Sequence, residues 1–274
     1  MTGISLSDPG GMNPMEASQK DRVKRERLDS LLIARGLAAS KTEAQTMIIA
    51  GEVYLPFGRV IKPYQLVPGD TEITIKLLSD EYVSRGGLKM EGALDDLKMD
   101  VRGLVAVDVG SSTGGFTDCL LRRGVRHCFA VDVTPQQLHE RLQRDQRVTS
   151  IKLNARYMNA KTLPTQVDLA VIDCSFISMG TLLQPVSTVI KDRGRILAMV
   201  KPQFEVGTRA LKKGVVRDEA DRKAAIQRIS NLAGELGFEL LAECDSRLTG
   251  PRGNREHFLL LEVPVRGTSE EASC

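Results

Sequence analysis

The chain has 274 residues, 42% of them hydrophobic and 27% charged, which is enough apolar material for one large domain or two unequal ones. Its net charge of +3 singles out no partner, and no apolar run approaches the roughly 18 residues of a membrane span. With no Trp and only 4% aromatic residues, base stacking on an aromatic platform is a poor expectation for any nucleic-acid contact.

Residues 1–24 are rich in Gly, Ser, Pro and Met and lack the basic-then-apolar pattern of a secretion signal, so a disordered tail is expected. From Lys20 to Lys41 seven basic residues face three acidic ones, a local bias that suits a phosphate-facing surface as well as a solvated helix end. A small α+β unit is expected over 25–78. Leu28, Leu31, Leu32 and Arg35 have helical spacing, and Gly36 stops that helix. Ser40 and Glu43 form a capping box ahead of Ala44, Met47 and Ile48, with Gly51 closing the second helix. Strand-type runs follow over 53–55, 59–61 and 72–77, with Pro68-Gly69-Asp70 as a turn. Such a unit buries little core and suits binding better than catalysis.

The pattern R-L-D-x-L-L-x-x-x-G-L-A-x-S-K-x-x-A-x-x-x-I-x-x-G-x-V over 27–53 resembles the αL RNA-binding motif of ribosomal proteins. That resemblance implies docking on folded RNA through the second helix and nearby basic residues. Arg25, Arg27, Arg35, Lys41 and, in the connector, Arg85 are the candidates. Pro56-Phe57-Gly58 replaces the motif's usual Asn-Gly, so a reshaped hairpin is expected there.

A linker over 79–87 leads to a second domain over 88–264, followed by a tail over 265–274. Helical spacing runs through Leu88, Ala93, Leu94 and Leu97. Strands are then expected over 104–109, 128–133, 149–153, 169–173 and 196–200. Helices are expected over 115–123, 136–143, 178–190 and 219–237. This alternation implies an α/β, doubly wound parallel sheet. Two consecutive strand-like runs over 239–245 and 257–263 read as an antiparallel hairpin ending the sheet.

The first of these strands ends in Asp108-Val109-Gly110-Ser111-Ser112-Thr113-Gly114-Gly115-Phe116, whose glycines let backbone approach a ligand at a helix start. Asp132 ends the next strand 22 residues after Gly110, where an acid can bind the ribose hydroxyls of a nucleotide-like cofactor. The loop is neither G-x-G-x-x-G nor a P-loop. Without a pyrophosphate to cradle, S-adenosylmethionine fits better, with Asp108 near its methionine end and Asp132 on its ribose. A Gly-rich loop in an α/β domain is weak by itself, and a nicotinamide dehydrogenase stays open at this point.

Four charged residues sit at element ends or beside glycines: Lys89, Asp173, Lys201 and Glu256. Strand carboxyl ends are where open parallel sheets bind ligands, so Asp173 and Lys201 point to that edge. Each alone reads as an ordinary polar residue or half of a structural ion pair.

In that order, Lys-Asp-Lys-Glu, the four resemble the RrmJ/FtsJ-like ribose 2′-O-methyltransferases. The whole arrangement is similar to their TlyA group, some relatives of which carry a haemolysin label. The stretches S-R-G-G-x-K, D-V-G-x-S-T-G-G-F-T-D, D-x-S-F-I-S, K-P-Q-F-E-V-G, G-V-V-R-D and G-P-x-G-N-x-E carry the likeness. It implies a Rossmann-like class I methyltransferase sheet and methylation of cytidine 2′-hydroxyls in ribosomal RNA or ribosomal subunits. Arg252 stands where a smaller residue is usual, and no role is carried to it.

In the mechanism expected from these residues, Lys201 meets the hydroxyl proton, Asp173 orients Lys201, and Lys89 and Glu256 align the nucleotide. Three rivals remain: a non-catalytic RNA-binding or ribosome-assembly factor, a membrane-active haemolysin, and the nicotinamide dehydrogenase. Cys119, Cys128, Cys174, Cys244 and Cys274 are scattered, and with three histidines they give no zinc spacing. No metal and a reducing cytoplasm are therefore expected. The oligomeric state stays open.

Overall fold

A computed structural model describes residues 24–266, apart from 39, 51, 57, 61, 76–81, 251 and 252. Of the expected tails over 1–24 and 265–274, residues 1–23 and 267–274 lie outside the described residues, while the Lys24 carbonyl accepts from Gly69 N at 2.9 Å and Arg266 Nη2 donates to the Ser187 carbonyl at 2.8 Å. Gly51, Phe57, Ile61, residues 76–81, Arg252 and Cys274 also lie outside the described residues.

The N-terminal unit comprises β1 (Arg25–Arg27), α1 (Leu28–Ala34), α2 (Lys41–Ala50), β2 (Val53–Leu55), β3 (Gly58–Arg59), β4 (Leu66–Pro68) and β5 (Thr74–Ile75). Its helices bury Leu28, Leu31, Leu32, Ala44 and Ile48 into a small core of their own. The capping signal is realised where Glu43 N donates to Ser40 Oγ at 3.1 Å. The strand β1, paired with β4, was not visible in the sequence because its Arg-Glu-Arg carries no apolar alternation.

Then come α3 (Arg85–Asp96), β6 (Val105–Val109), α4 (Gly115–Arg122), β7 (His127–Asp132), α5 (Glu140–Gln143), β8 (Val148–Lys152), β9 (Val167–Ile172), α6 (Gly180–Ser187), β10 (Ile190–Val200), α7 (Pro202–Glu205), β11 (Leu211–Lys212), β12 (Val215–Val216), α8 (Glu219–Glu235), β13 (Glu239–Asp245) and β14 (His257–Glu262). Seven strands form one sheet in the order β13-β14-β10-β9-β6-β7-β8. All neighbours are parallel except those of β14, which runs antiparallel to both β10 and β13.

Apolar clusters cover both faces, as a parallel sheet requires. Alternation along β6 sends Val105, Val107 and Val109 to one cluster and Ala106 to the other. Chain order reverses between β6 and β9, and a crevice opens there at the strands' carboxyl ends.

Several expectations shift. The helix after the linker starts at Arg85 rather than Leu88, which places Gly86 and Gly87 inside α3. Those glycines serve close packing: a Cβ on Gly87 would lie 2.3 Å from the Tyr82 ring. The helix expected over 136–143 is split into a 3₁₀ turn (Pro135–Gln137) and α5, because Leu138 leaves the helical path, its backbone at φ −60° and ψ 132°, and is buried beneath Gly114. The short pair β11 and β12 was not anticipated, since two residues per strand give no readable period.

Candidate active site

The crevice is a cavity of about 920 Å³ that holds all four charged candidates along with the glycine-rich turn. Asp108 lies one residue before the end of β6, where Thr117 N and Oγ1 of α4 donate to its Oδ2 at 2.9 and 2.7 Å. Its other oxygen is buried and has no hydrogen-bond partner among the described residues. Burial pushes Asp108 up to about 7, and the nearby Asp173 and Asp132 add to that.

The sign of this effect is testable. A carboxyl with a raised folded value keeps a proton that the unfolded chain releases, so stability falls as pH rises from about 4 to about 7. Asp108→Asn is therefore expected to gain thermal stability relative to the wild type as pH goes from about 5 to about 8. Melting curves of the ligand-free protein would check it. A constant offset at every pH would clear Asp108 of that role.

The turn itself is shaped by contact. Gly110 has φ +86°, and a Cβ there would lie 2.8 Å from the Asp173 carbonyl oxygen. Gly114 has φ +93°, and its Cβ would meet Leu142 Cδ1 at 2.2 Å. Ser112 adopts φ +47° without being glycine, and its N–H donates to Asp132 Oδ2 at 3.0 Å. Thr134 N donates to the other oxygen at 2.8 Å, so Asp132 is fixed at the cavity wall. Thr113, Gly115 and Phe116 line the same wall, whereas Gly114 shapes the turn from behind it.

Opposite this turn the four charged groups form two pairs. Lys89, on α3, donates from Nζ to Glu256 Oε2. Lys201, at the end of β10, pairs with Asp173 at the end of β9 and donates to Ser175 Oγ at 2.9 Å. Lys89, Lys201 and Glu256 are buried. Burial, the largest effect on Lys201, works against its charge. The carboxylates of Asp173 and Glu256 outweigh it and hold the ammonium above the ordinary lysine value.

The expected RNA contacts are scattered. Lys41 and Arg25 are exposed. Arg27 is tied to the buried Asp29 at 2.8 Å, and Arg35 spends its guanidinium on the carbonyls of Gly69 and Thr71 at 2.6 Å each. Those two arginines hold the unit together. Arg85 opens α3 and lines the cavity.

The sequence reading missed Phe176 and Phe204. Phe176 is 86% exposed at φ +65°, with its ring 5.1 Å from that of Phe204 beside the cavity. Overall aromatic content says nothing about two rings placed at one mouth. The available signal was a Phe in each of the two strand-end motifs, where a core role is the default assumption.

Among the described residues no three or more His, Cys, Asp or Glu are placed to hold a metal. No helix among them is long and apolar enough to cross a membrane.

The chain is similar to known proteins. A family model described as FtsJ-like methyltransferase matches residues 82–263. The 16S/23S rRNA (cytidine-2′-O)-methyltransferase TlyA of Mycobacterium tuberculosis is 39% identical over 244 residues, 88% of this chain and 91% of that protein. Hemolysin A of Brachyspira hyodysenteriae is 32% identical over 240 residues, 85% of this chain and 100% of that protein. A solved structure of a candidate hemolysin from Streptococcus thermophilus is similar with a TM-score of 0.68 and 34% identity, covering 89% of this chain and 90% of that one.

Proposed function

The chain belongs to the FtsJ-like methyltransferase family, and from that premise we propose that it transfers a methyl group from S-adenosylmethionine to a ribose 2′-hydroxyl, of cytidine, in ribosomal RNA. The observation that carries this reading is the convergence of two lysine–carboxylate pairs, with both lysines and Glu256 buried, on one cavity, facing a glycine turn between two strand ends.

The residues present fit the cofactor. The unpartnered buried oxygen of Asp108 calls for a donor such as an amino-acid ammonium. Asp132, at the wall, is placed to accept from ribose hydroxyls. Gly110, Ser112, Thr113, Gly114, Gly115 and Phe116 shape the cradle between them, and Asp173 closes it from β9. The cavity is large enough for a nucleoside-sized ligand with room for a second one.

When bound, S-adenosylmethionine supplies a methyl group already activated on a sulfonium centre. The chain is left to orient the reactants and manage one proton. Lys201 Nζ meets that proton and the negative charge developing on ribose O2′. Asp173 orients Lys201, while Lys89 and Glu256 align the nucleotide. Phe176 offers its exposed face to a base. Selection of the RNA falls to the N-terminal unit over 25–78, whose exposed Arg25 and Lys41 suit phosphate contacts that position without reading sequence.

The test is a map of 2′-O-methyl groups on ribosomal RNA from cells with and without this chain, together with methyl incorporation in vitro. One or more cytidine signals are expected to depend on it. RNA binding with no methyl transfer would favour the non-catalytic assembly factor, and binding of NAD instead of S-adenosylmethionine would favour the dehydrogenase.

A further inference from the structure

We propose that the β11–β12 hairpin is a phosphate-gripping arm of the catalytic domain, holding the RNA strand at the cavity mouth through Lys212 and Lys213. The inference rests on the proposed activity and adds a second RNA contact far in sequence from the N-terminal unit.

Position comes first. Leu211 and Gly214 of this hairpin line the cavity that holds Lys201 and Asp173. The hairpin is fastened by one buried side chain, Asn254. Its Nδ2 donates to the Gly214 carbonyl at 3.0 Å, and its Oδ1 accepts from Val216 N at 3.0 Å. Asn254 stands two residues before Glu256 in the same loop. Whatever the hairpin grips is thereby held in register with the Lys89–Glu256 pair.

Charge comes second. Of the neighbouring cations, Arg222 is neutralised by Glu219 and Asp245, Arg228 by Glu205, and Arg255 by Glu219 and Asp245, whereas Arg209 and Arg217, which flank the hairpin, are exposed without an ion pair among the described residues and extend its positive surface. Lys212 and Lys213 are exposed and have no carboxylate partner among the described residues. Two free ammonium groups on flexible stems suit phosphate, which they attract without reading the base.

The turn makes the idea easy to test. Lys213 and Gly214 have φ +54° and +80°, the two left-handed positions of a two-residue hairpin turn. Asn-Gly and Asp-Gly are the usual occupants. Strained backbone alone is no mark of function, since Lys98 also adopts φ +51°. It does mean that Lys213→Asn suits the turn better than the native residue does.

The experiment compares full-length wild type, Lys213→Asn, Lys213→Arg, Lys212→Ser and Lys98→Asn on ribosomal subunits from cells lacking the enzyme. Lys213→Asn is expected to melt no lower than the wild type, yet to raise KM for the subunits by about tenfold at physiological salt. Its binding should also lose about one unit of salt slope. Lys212→Ser should do the same at an ordinary strand position. Lys213→Arg should restore the slope, and Lys98→Asn should match the wild type. An unchanged salt slope in both Lys213→Asn and Lys212→Ser, with the wild type methylating normally, overturns the arm alone. A weaker KM with an unchanged slope also overturns it, because the loss would not come from phosphate. No methylation by the wild type would remove the proposed activity, and the arm with it.

Discussion

Replacing Lys201 with alanine is expected to slow methyl transfer by about 10²–10⁴-fold while barely changing affinity for S-adenosylmethionine. The group removed is buried at the end of β10, within reach of Asp173 and Ser175. The cofactor-side carboxylates Asp108 and Asp132 take their hydrogen bonds from Thr117, Ser112 and Thr134, and of the cradle's carboxylates Asp173 is the one paired with Lys201. Binding and turnover should therefore separate. Isothermal titration with S-adenosylmethionine would read one, and single-turnover incorporation of labelled methyl the other.

The pH profile then distinguishes two forms of the role. Asp173 and Glu256 hold Lys201 charged at neutral pH in the ligand-free protein. If the neutral amine must take the ribose proton, the rate rises with pH well into the alkaline range. If the ammonium stabilises the alkoxide, the rate stays flat and Lys201→Arg keeps part of the activity. Undiminished turnover in Lys201→Ala would remove this lysine from the mechanism altogether.

The sheet was legible because its central strands are buried on both faces: Val105-Ala106-Val107-Asp108-Val109 is buried throughout and bounded by turn residues. The lining of the candidate site was legible where a charged residue falls at a strand end, as with Asp108, Asp132, Asp173 and Lys201. What stayed hidden depends on contacts between distant segments. Arg35 looks like a free cation until Gly69 and Thr71 turn their carbonyls towards it. Leu138 looks helical until Gly114 makes room for it. The first half of β10, Lys191-Asp192-Arg193-Gly194, has the polarity of a loop and joins the strand only through a bulged register beside β9.

The two Gly-Gly pairs show the same thing most sharply, and they set the second large effect. In the sequence, Gly86-Gly87 reads as a linker and Gly114-Gly115 as a cofactor turn. In the fold Gly86, Gly87 and Gly115 meet at one contact between α3 and α4, while Gly114 faces Leu138 and Leu142. A Cβ on Gly115 would lie 2.3 Å from Ser84 Oγ, 2.8 Å from Gly87 N and 3.0 Å from Gly86 Cα. The serine hydroxyl can rotate away, but the backbone atoms cannot, so α3 must shift. That helix carries Lys89, whose partner Glu256 sits on a different element and does not move with it.

Gly115→Ala is therefore expected to cost about 1–3 kcal/mol of stability through overpacking. It should also cost about 10²-fold in turnover, since a misplacement of about 1 Å can have that effect. A second replacement tells the cause apart. Ser84→Ala removes only the hydroxyl contact, so Gly115→Ala combined with Ser84→Ala should recover little if backbone is the obstacle. Thermal melts and single-turnover rates on the single and double variants would decide it. Full recovery in the double variant would mean that the serine, not the crossing of the two helices, required glycine here.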